Sequence, residues 1–182
     1  MFGLKKNQKK IMANSKSLVA YYSRKGENYL NGSIVNLSIG NTEVIAKKIQ
    51  ALTGSDLFEI DTVIPYPEDY NETTNVAMEE KRGNARPKLT EVVDNMDTYD
   101  LIYLGYPNWW GTFPMTVCTF LESYDFSGKT IAPFCTHEGS GIGGSERDIK
   151  KLCPDAKVLP GLAIRGGSVT SANDIVQSWL KK

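Results

Sequence analysis

Between Asp100 and Tyr106 the chain reads Asp-Leu-Ile-Tyr-Leu-Gly-Tyr, apolar nearly throughout and without alternation. A short run of that kind is a strand buried on both faces, and such strands belong to parallel sheets covered by helices on each side. The flanking sequence repeats the pattern. Leu18 to Tyr22 is another short apolar run, and Asp56 to Asp61 alternates as a strand does. Lys129 to Cys135 and Lys157 to Ile164 complete a set of five strands, the last interrupted by Pro160-Gly161. Helical stretches lie between them. Val44, Ile45, Ile49 and Leu52 fall on one face of a helix opened by Gly40-Asn41-Thr42 and ended by Gly54. Tyr70 to Arg82 is a polar helix that cannot continue through Pro87. A helical turn is expected near Glu91 to Asn95. Met115, Val117, Phe120 and Leu121 mark a further helix, with Thr112 as its cap and Pro114 in its first turn. Ser145 and Ser171 read as caps of the last two helices, the first with Asp148 in the capping-box position.

Strand and helix in alternation imply an α/β domain, with a five-stranded parallel sheet between two helical layers. A chain of 182 residues suits one such domain, spanning residues 17–182. Residues 1–16 are basic and polar, lack the apolar core of a signal peptide, and read as a flexible tail, with Met12 as an alternative start. No apolar run is long enough to span a bilayer, so no membrane association is expected. The three cysteines, Cys118, Cys135 and Cys153, match no metal-knuckle or redox-pair spacing. They read as buried thiols of a protein kept in a reducing cytoplasm.

In an open parallel sheet, ligands bind beyond the carboxyl ends of the strands. Three loops that leave strand ends have unusual composition, and they face one crevice if the strand order is 2-1-3-4-5. The first runs from Ser23 to Thr42 and ends at a helix N-terminus, whose free N–H groups and dipole suit a phosphate. Gly40 lets backbone approach, Arg24 adds charge, and Asn41 and Thr42 either bind or merely cap. The second, Pro107-Asn108-Trp109-Trp110-Gly111, has two adjacent tryptophans. One is expected to face the core and the other to stack on a flat ring, unless both are core. The third, Thr136-His137-Glu138-Gly139-Ser140, offers small residues and the only histidine of the chain, a weak catalytic candidate beside a structural role. Glu138 is either a ligand contact or a solvated loop charge. No histidine or cysteine partner supports a metal.

On these residues the chain resembles the flavodoxin family. Ser23 and Gly40-Asn41-Thr42 are similar to the family's phosphate-binding segment. Tyr103 to Gly111 resembles the loop that packs on the isoalloxazine, and Phe126 to Thr136 the strand whose following loop touches the flavin. The resemblance covers about Ser17 to the C-terminus. It implies a flavodoxin-like three-layer sandwich and FMN as cofactor, held by the three loops named above. Two departures stand out. Arg24 to Ile39 separates Ser23 from Gly40 where the family has a compact loop, and the loop after strand four has no aromatic. The outer flavin face is therefore expected to be open, or covered only by His137 or the insertion.

Lysine plus arginine equals aspartate plus glutamate at 21 each. That balance leaves no basic footprint for nucleic acid and no field for steering a charged partner. With the missing aromatic, it points to an oxidoreductase passing electrons from NAD(P)H or a reductase to a quinone-like or other acceptor. The alternatives are a one-electron carrier docking on a redox partner protein, and a non-redox domain binding another phosphate ligand. Either a monomer or a homodimer is compatible with the sequence.

Overall fold

The computed structural model describes residues 16–182; the expected tail, apart from Lys16, and Met12 lie outside the described residues. The elements in chain order are β1 (Ser17–Tyr21), β2 (Gly26–Leu30), β3 (Ser33–Leu37), α1 (Asn41–Thr53), β4 (Asp56–Glu59), α2 (Tyr70–Arg82), β5 (Leu101–Pro107), α3 (Met115–Glu122), β6 (Thr130–His137), α4 (Ser145–Leu152), β7 (Lys157–Val158), β8 (Leu162–Arg165) and α5 (Asn173–Trp179). The main sheet runs β4-β1-β5-β6-β7, all parallel, and β8 also pairs with β6. This is the expected order 2-1-3-4-5. Its fifth strand is split in two because Pro160 has no N–H to give the ladder.

β1 shows how the sheet is clothed. Leu18, Ala20 and Tyr22 point into a core formed with Met115, Val117 and Phe120 of α3 and Ile149 of α4. Val19 and Tyr21 point the other way, against Ile45, Ala46 and Ile49 of α1 and Val176 of α5. Alternation along one strand thus feeds two cores, and each fully buried Ile or Phe contributes about 1.5–3 kcal/mol. Gly105 of β5 sits opposite Phe134 of β6, and a Cβ there would enter the Phe134 ring. The glycine in that apolar run is required by space.

Several local expectations are corrected. The stretch from Arg24 to Ile39 contains an antiparallel hairpin, β2–β3, turned at Asn31-Gly32 with both residues at positive φ. Leu52 is exposed, because the buried stripe of α1 passes through Thr42, Ile45, Ala46 and Ile49 instead. The turn expected at Glu91 to Asn95 is a 3-10 turn at Met96–Thr98, where Met96 and Tyr99 reach the core. Thr112 does not cap α3. Its backbone pairs with Trp109 and its hydroxyl donates to Asp148, leaving Pro114 as N-cap. Gly144 is the N-cap of α4; Ser145 is buried, accepting from the Tyr106 hydroxyl and donating to the Ile142 carbonyl. Ser171 lies in a 3-10 turn, and Ala172 precedes α5. Among the described residues, no helix is long and apolar enough to cross a membrane.

Candidate functional site

The carboxyl ends of β1, β5 and β6 open into one cavity of about 670 Å³, within the range of roughly 300–1,000 Å³ typical of cofactor sites. It collects every candidate residue of the three loops except Ser23, Gly40 and Gly139. The sheet order brings them together; their separation in sequence does not.

At the α1 end, Ser23 reaches across from the end of β1 and its Oγ accepts from the Glu43 N–H at 3.0 Å. That satisfies one of the first-turn donors of α1 and leaves the N–H groups of Asn41 and Thr42 without partners among the described residues. Two free donors on a 13-residue helix, with its positive dipole end, make an anion cradle. Gly40 is needed for closeness: a Cβ would collide with Ser23 Oγ and the Arg24 carbonyl. Thr42, 1% exposed, shares a 2.7 Å hydrogen bond with Thr136 Oγ1 of β6. One hydroxyl hydrogen lies between the two oxygens, and the second is left to point at a ligand. Arg24 lines the cavity, but its guanidinium donates to the carbonyls of Glu27, Pro67 and Glu68. Its visible work is to tie the hairpin to the segment before α2.

The tryptophans divide as a core residue and a rim residue. Trp109 packs edge-on against Tyr22 and Tyr66 at 5.4 and 5.0 Å. Trp110 is 47% exposed and sits at φ 55, a left-handed conformation that costs a bulky side chain about 1–2 kcal/mol. It is held there from both ends: its indole N–H donates to the Thr74 carbonyl, and Lys81 Nζ donates to the Trp110 carbonyl. Asn108 braces the loop, donating to Gly141 O and accepting from the Gly111 N–H.

In the third loop, His137 Nδ1 accepts from the Gly139 N–H at 2.9 Å. A neutral imidazole then carries its proton on Nε2. Burial, helped by the nearby Arg165 charge and opposed by Glu138, lowers the His137 pKa from its usual value. Glu138 Oε2 accepts from the Asn31 N–H at the hairpin tip. Its Oε1 is buried and has no partner, an acceptor that lacks a donor. Pro107 and Ser140 complete the rim.

Sequence reasoning missed one wall altogether. Asn28 and Tyr29 of the hairpin, with Tyr70, Thr73, Thr74 and Ala77 of α2, face the three loops across the cavity. Tyr29 stacks on Tyr70, with centroids 6.2 Å apart and planes at 29°. The signal was present: Asn-Gly flanked by alternating residues is the strongest short-range mark of a hairpin. The hairpin thus brings an aromatic side chain, Tyr29, to the cavity.

The sequence profile of a family described as Flavodoxin matches residues 16–182. Among solved structures, a candidate flavoprotein from Bacteroides eggerthii DSM 20697 is 32% identical, covering 90% of this chain and 99% of that one, with a TM-score of 0.68. A second, from Bacteroides uniformis ATCC 8492, is 29% identical over 92% of this chain and 99% of that one, with a TM-score of 0.70. A flavoprotein in complex with FMN from Lactobacillus acidophilus NCFM is similar in fold, at 23% identity over 88% of this chain and 99% of that one, with a TM-score of 0.61. No curated protein matches the chain.

Proposed function

The chain belongs to the flavodoxin family, and from that premise we propose that it is an FMN-dependent oxidoreductase. It would pass electrons from NAD(P)H or a reductase to a quinone-like or related acceptor. FMN is the cofactor the family brings, and the chemistry of the cavity suits it. The free N–H groups of Asn41 and Thr42 answer a phosphate. The orphaned Glu138 Oε1 answers an N–H donor, such as a flavin ring edge carries. The Trp110 indole, exposed at the rim, answers a flat ring.

When bound, FMN supplies the electron-transfer chemistry. The chain's own residues bind, orient and shield it. Ser23 and Gly40 hold the α1 terminus open to the phosphate, and the Thr42–Thr136 pair directs one hydroxyl hydrogen toward it. Asn108 keeps the tryptophan loop in shape. His137, neutral with its proton on Nε2, offers a donor rather than a charge.

The observation that carries the enzyme reading is the cavity's outer wall, where Tyr29, Tyr70 and Trp110 present aromatic surface that suits a flat partner. A one-electron carrier is the second reading, favoured by the cover that Tyr29 lends from the hairpin. The test is a visible spectrum of the protein with FMN, followed by NADH and NADPH oxidation with 1,4-naphthoquinone as acceptor. Bound flavin with turnover supports the oxidoreductase. Bound flavin that takes electrons only through a separate reductase protein makes it a carrier. Failure to bind FMN removes both.

A further inference from the structure

The two strands of the hairpin pair only with each other and take no part in the main sheet. The hairpin is held at its two ends instead, and those ends rest on opposite walls of the cavity. At the base, Arg24 donates to the carbonyls of Pro67 and Glu68, and the Glu27 carboxylate accepts from the Tyr70 N–H. Tyr29 adds its stack on Tyr70. All of these partners belong to α2 or to the segment before it. At the tip the chain has crossed to the wall of sheet ends. The Asn31 N–H donates to Glu138 Oε2 at 3.0 Å. Leu30 and Asn31 come to rest on Gly166 and Gly167, just past β8. Those glycines form a seat. A Cβ on Gly166 would collide with Leu30 Cδ1, and one on Gly167 would come within 2.6 Å of the Asn31 side-chain amide. Between the two supports, Asn28 and Tyr29 line the cavity.

The supports are unequal. The base combines hydrogen bonds from two charged side chains with an aromatic stack. The tip has a solvent-exposed hydrogen bond and packing on glycine. The roots of the hairpin are pliant. The chain enters it at Gly26, at φ 85 with open space where a Cβ would stand, and leaves it through residues 38–39, outside any strand or helix. A ribbon with pliant roots and a lightly held tip opens from the tip.

We propose that the hairpin is a gate on the cavity, seated on Gly166 and Gly167 and latched by Glu138, and that FMN enters and leaves only when its tip lifts. Latch and seat are contacts within the chain, so lifting the tip costs the same before entry as before exit. The gate therefore slows both directions by one factor and leaves the equilibrium affinity nearly untouched. Glu138 thereby has a separate role for each carboxylate oxygen, Oε2 on the hairpin and Oε1 toward the cofactor. The inference rests on FMN occupying this cavity, and it holds for an enzyme and a carrier alike.

The test is a reversible lock. Asn31→Cys with Gly167→Cys places two thiols at the seat, while Cys118, Cys135 and Cys153 are buried and do not compete. FMN association and dissociation are followed by stopped-flow flavin fluorescence, in protein oxidised before or after loading and again after reduction with dithiothreitol. With the disulfide closed, both rates should fall about tenfold or more, and reduction should restore them. Leu30→Ala thins the packing at the seat without touching the cavity, and it should raise both rates about threefold while Kd moves less than about twofold. Glu138→Gln keeps one acceptor oxygen and should likewise quicken association. Faster dissociation with unchanged association in that variant would make the carboxylate a cofactor contact and remove the latch. Rates indifferent to the lock and to Leu30→Ala overturn the gate, and so do thiols at 31 and 167 that oxidant fails to join. An unmodified chain that binds no FMN is a different result, since it defeats the cofactor reading and the gate with it.

Discussion

Thr42 illustrates how much one buried hydroxyl carries. Its Oγ1 bonds Thr136 Oγ1 at 2.7 Å, and both residues are buried. Thr42→Ala strands the Thr136 hydroxyl, so urea unfolding of the FMN-free protein should show a loss of about 1–3 kcal/mol. FMN binding should weaken by about 1 kcal/mol more, and an unchanged FMN affinity would take Thr42 out of the phosphate site. Trp110 poses the opposite case, a side chain held in a conformation it disfavours. Trp110→Asn tolerates the positive φ, so relief of about 1–2 kcal/mol offsets a lost hydrogen bond worth about 1 kcal/mol. Folding stability should hardly move while FMN binding weakens; unaltered FMN binding would sink the stacking role. His137 adds a pH dependence. Its pKa in the fold lies below its usual value of 6.5 because of burial and Arg165. The unfolded chain therefore takes up the proton first, and the stabilisation present above pH 6.5 is lost as pH falls through the lowered value. Thermal unfolding from pH 7.5 down to 5.5 should show a fall that His137→Gln lessens.

At the scale of elements, the hairpin and α2 behave as one unit. The Glu27 carboxylate accepts from the Tyr70 N–H at 2.8 Å, so a strand of the hairpin caps the first turn of the helix. Asp69 caps the same turn through the Glu72 N–H, and Arg24 grips the carbonyls just before it. Glu27→Ala removes a charged cap and should cost about 1 kcal/mol. The loss should appear as faster amide exchange across Tyr70–Arg82 and Gly26–Leu37, with α1 and α5 unaffected. Equal acceleration everywhere would mean that the carboxylate supports the whole fold instead. The central strands and α2 were legible because their patterns are local: an apolar run for β5, and a polar stretch closed by Pro87 for the helix. The caps at Thr112 and Ser145 were misread because each hydroxyl pairs with a residue distant in sequence, and the one at Ser171 because its hydroxyl donates back to the Ser168 carbonyl within a 3-10 turn. Short polar side chains bond whatever the fold brings near, and adjacency in sequence does not reveal that.

For the molecule as a whole, the two cores leave the cysteines inert. Burial pushes Cys118 up to about 11, Cys135 to about 12 and Cys153 to about 11. All three are buried. Iodoacetamide at pH 8 should label none of them in the native protein and all three in denaturant. Native labelling at any one would show that its core opens. The zero net charge works at the same scale. It leaves recognition of a partner to the shape and chemistry of the cavity wall rather than to long-range attraction.

By itself the sequence determined the layers and the three loops at the ligand end. Those follow from hydrophobic periodicity and from the rule that ligands sit beyond the carboxyl ends of parallel strands. It also marked Gly40-Asn41-Thr42 and the tryptophan pair, whose residue types carry their chemistry in one short stretch. Only the tertiary structure decided which donors are free. Arg24 donates to carbonyls 43 and 44 residues away, Glu138 is held by the hairpin tip, and Tyr29 stacks on Tyr70 in the same cavity wall. Hydrogen-bond saturation and aromatic contact depend on distances in space, and a one-dimensional pattern does not contain them.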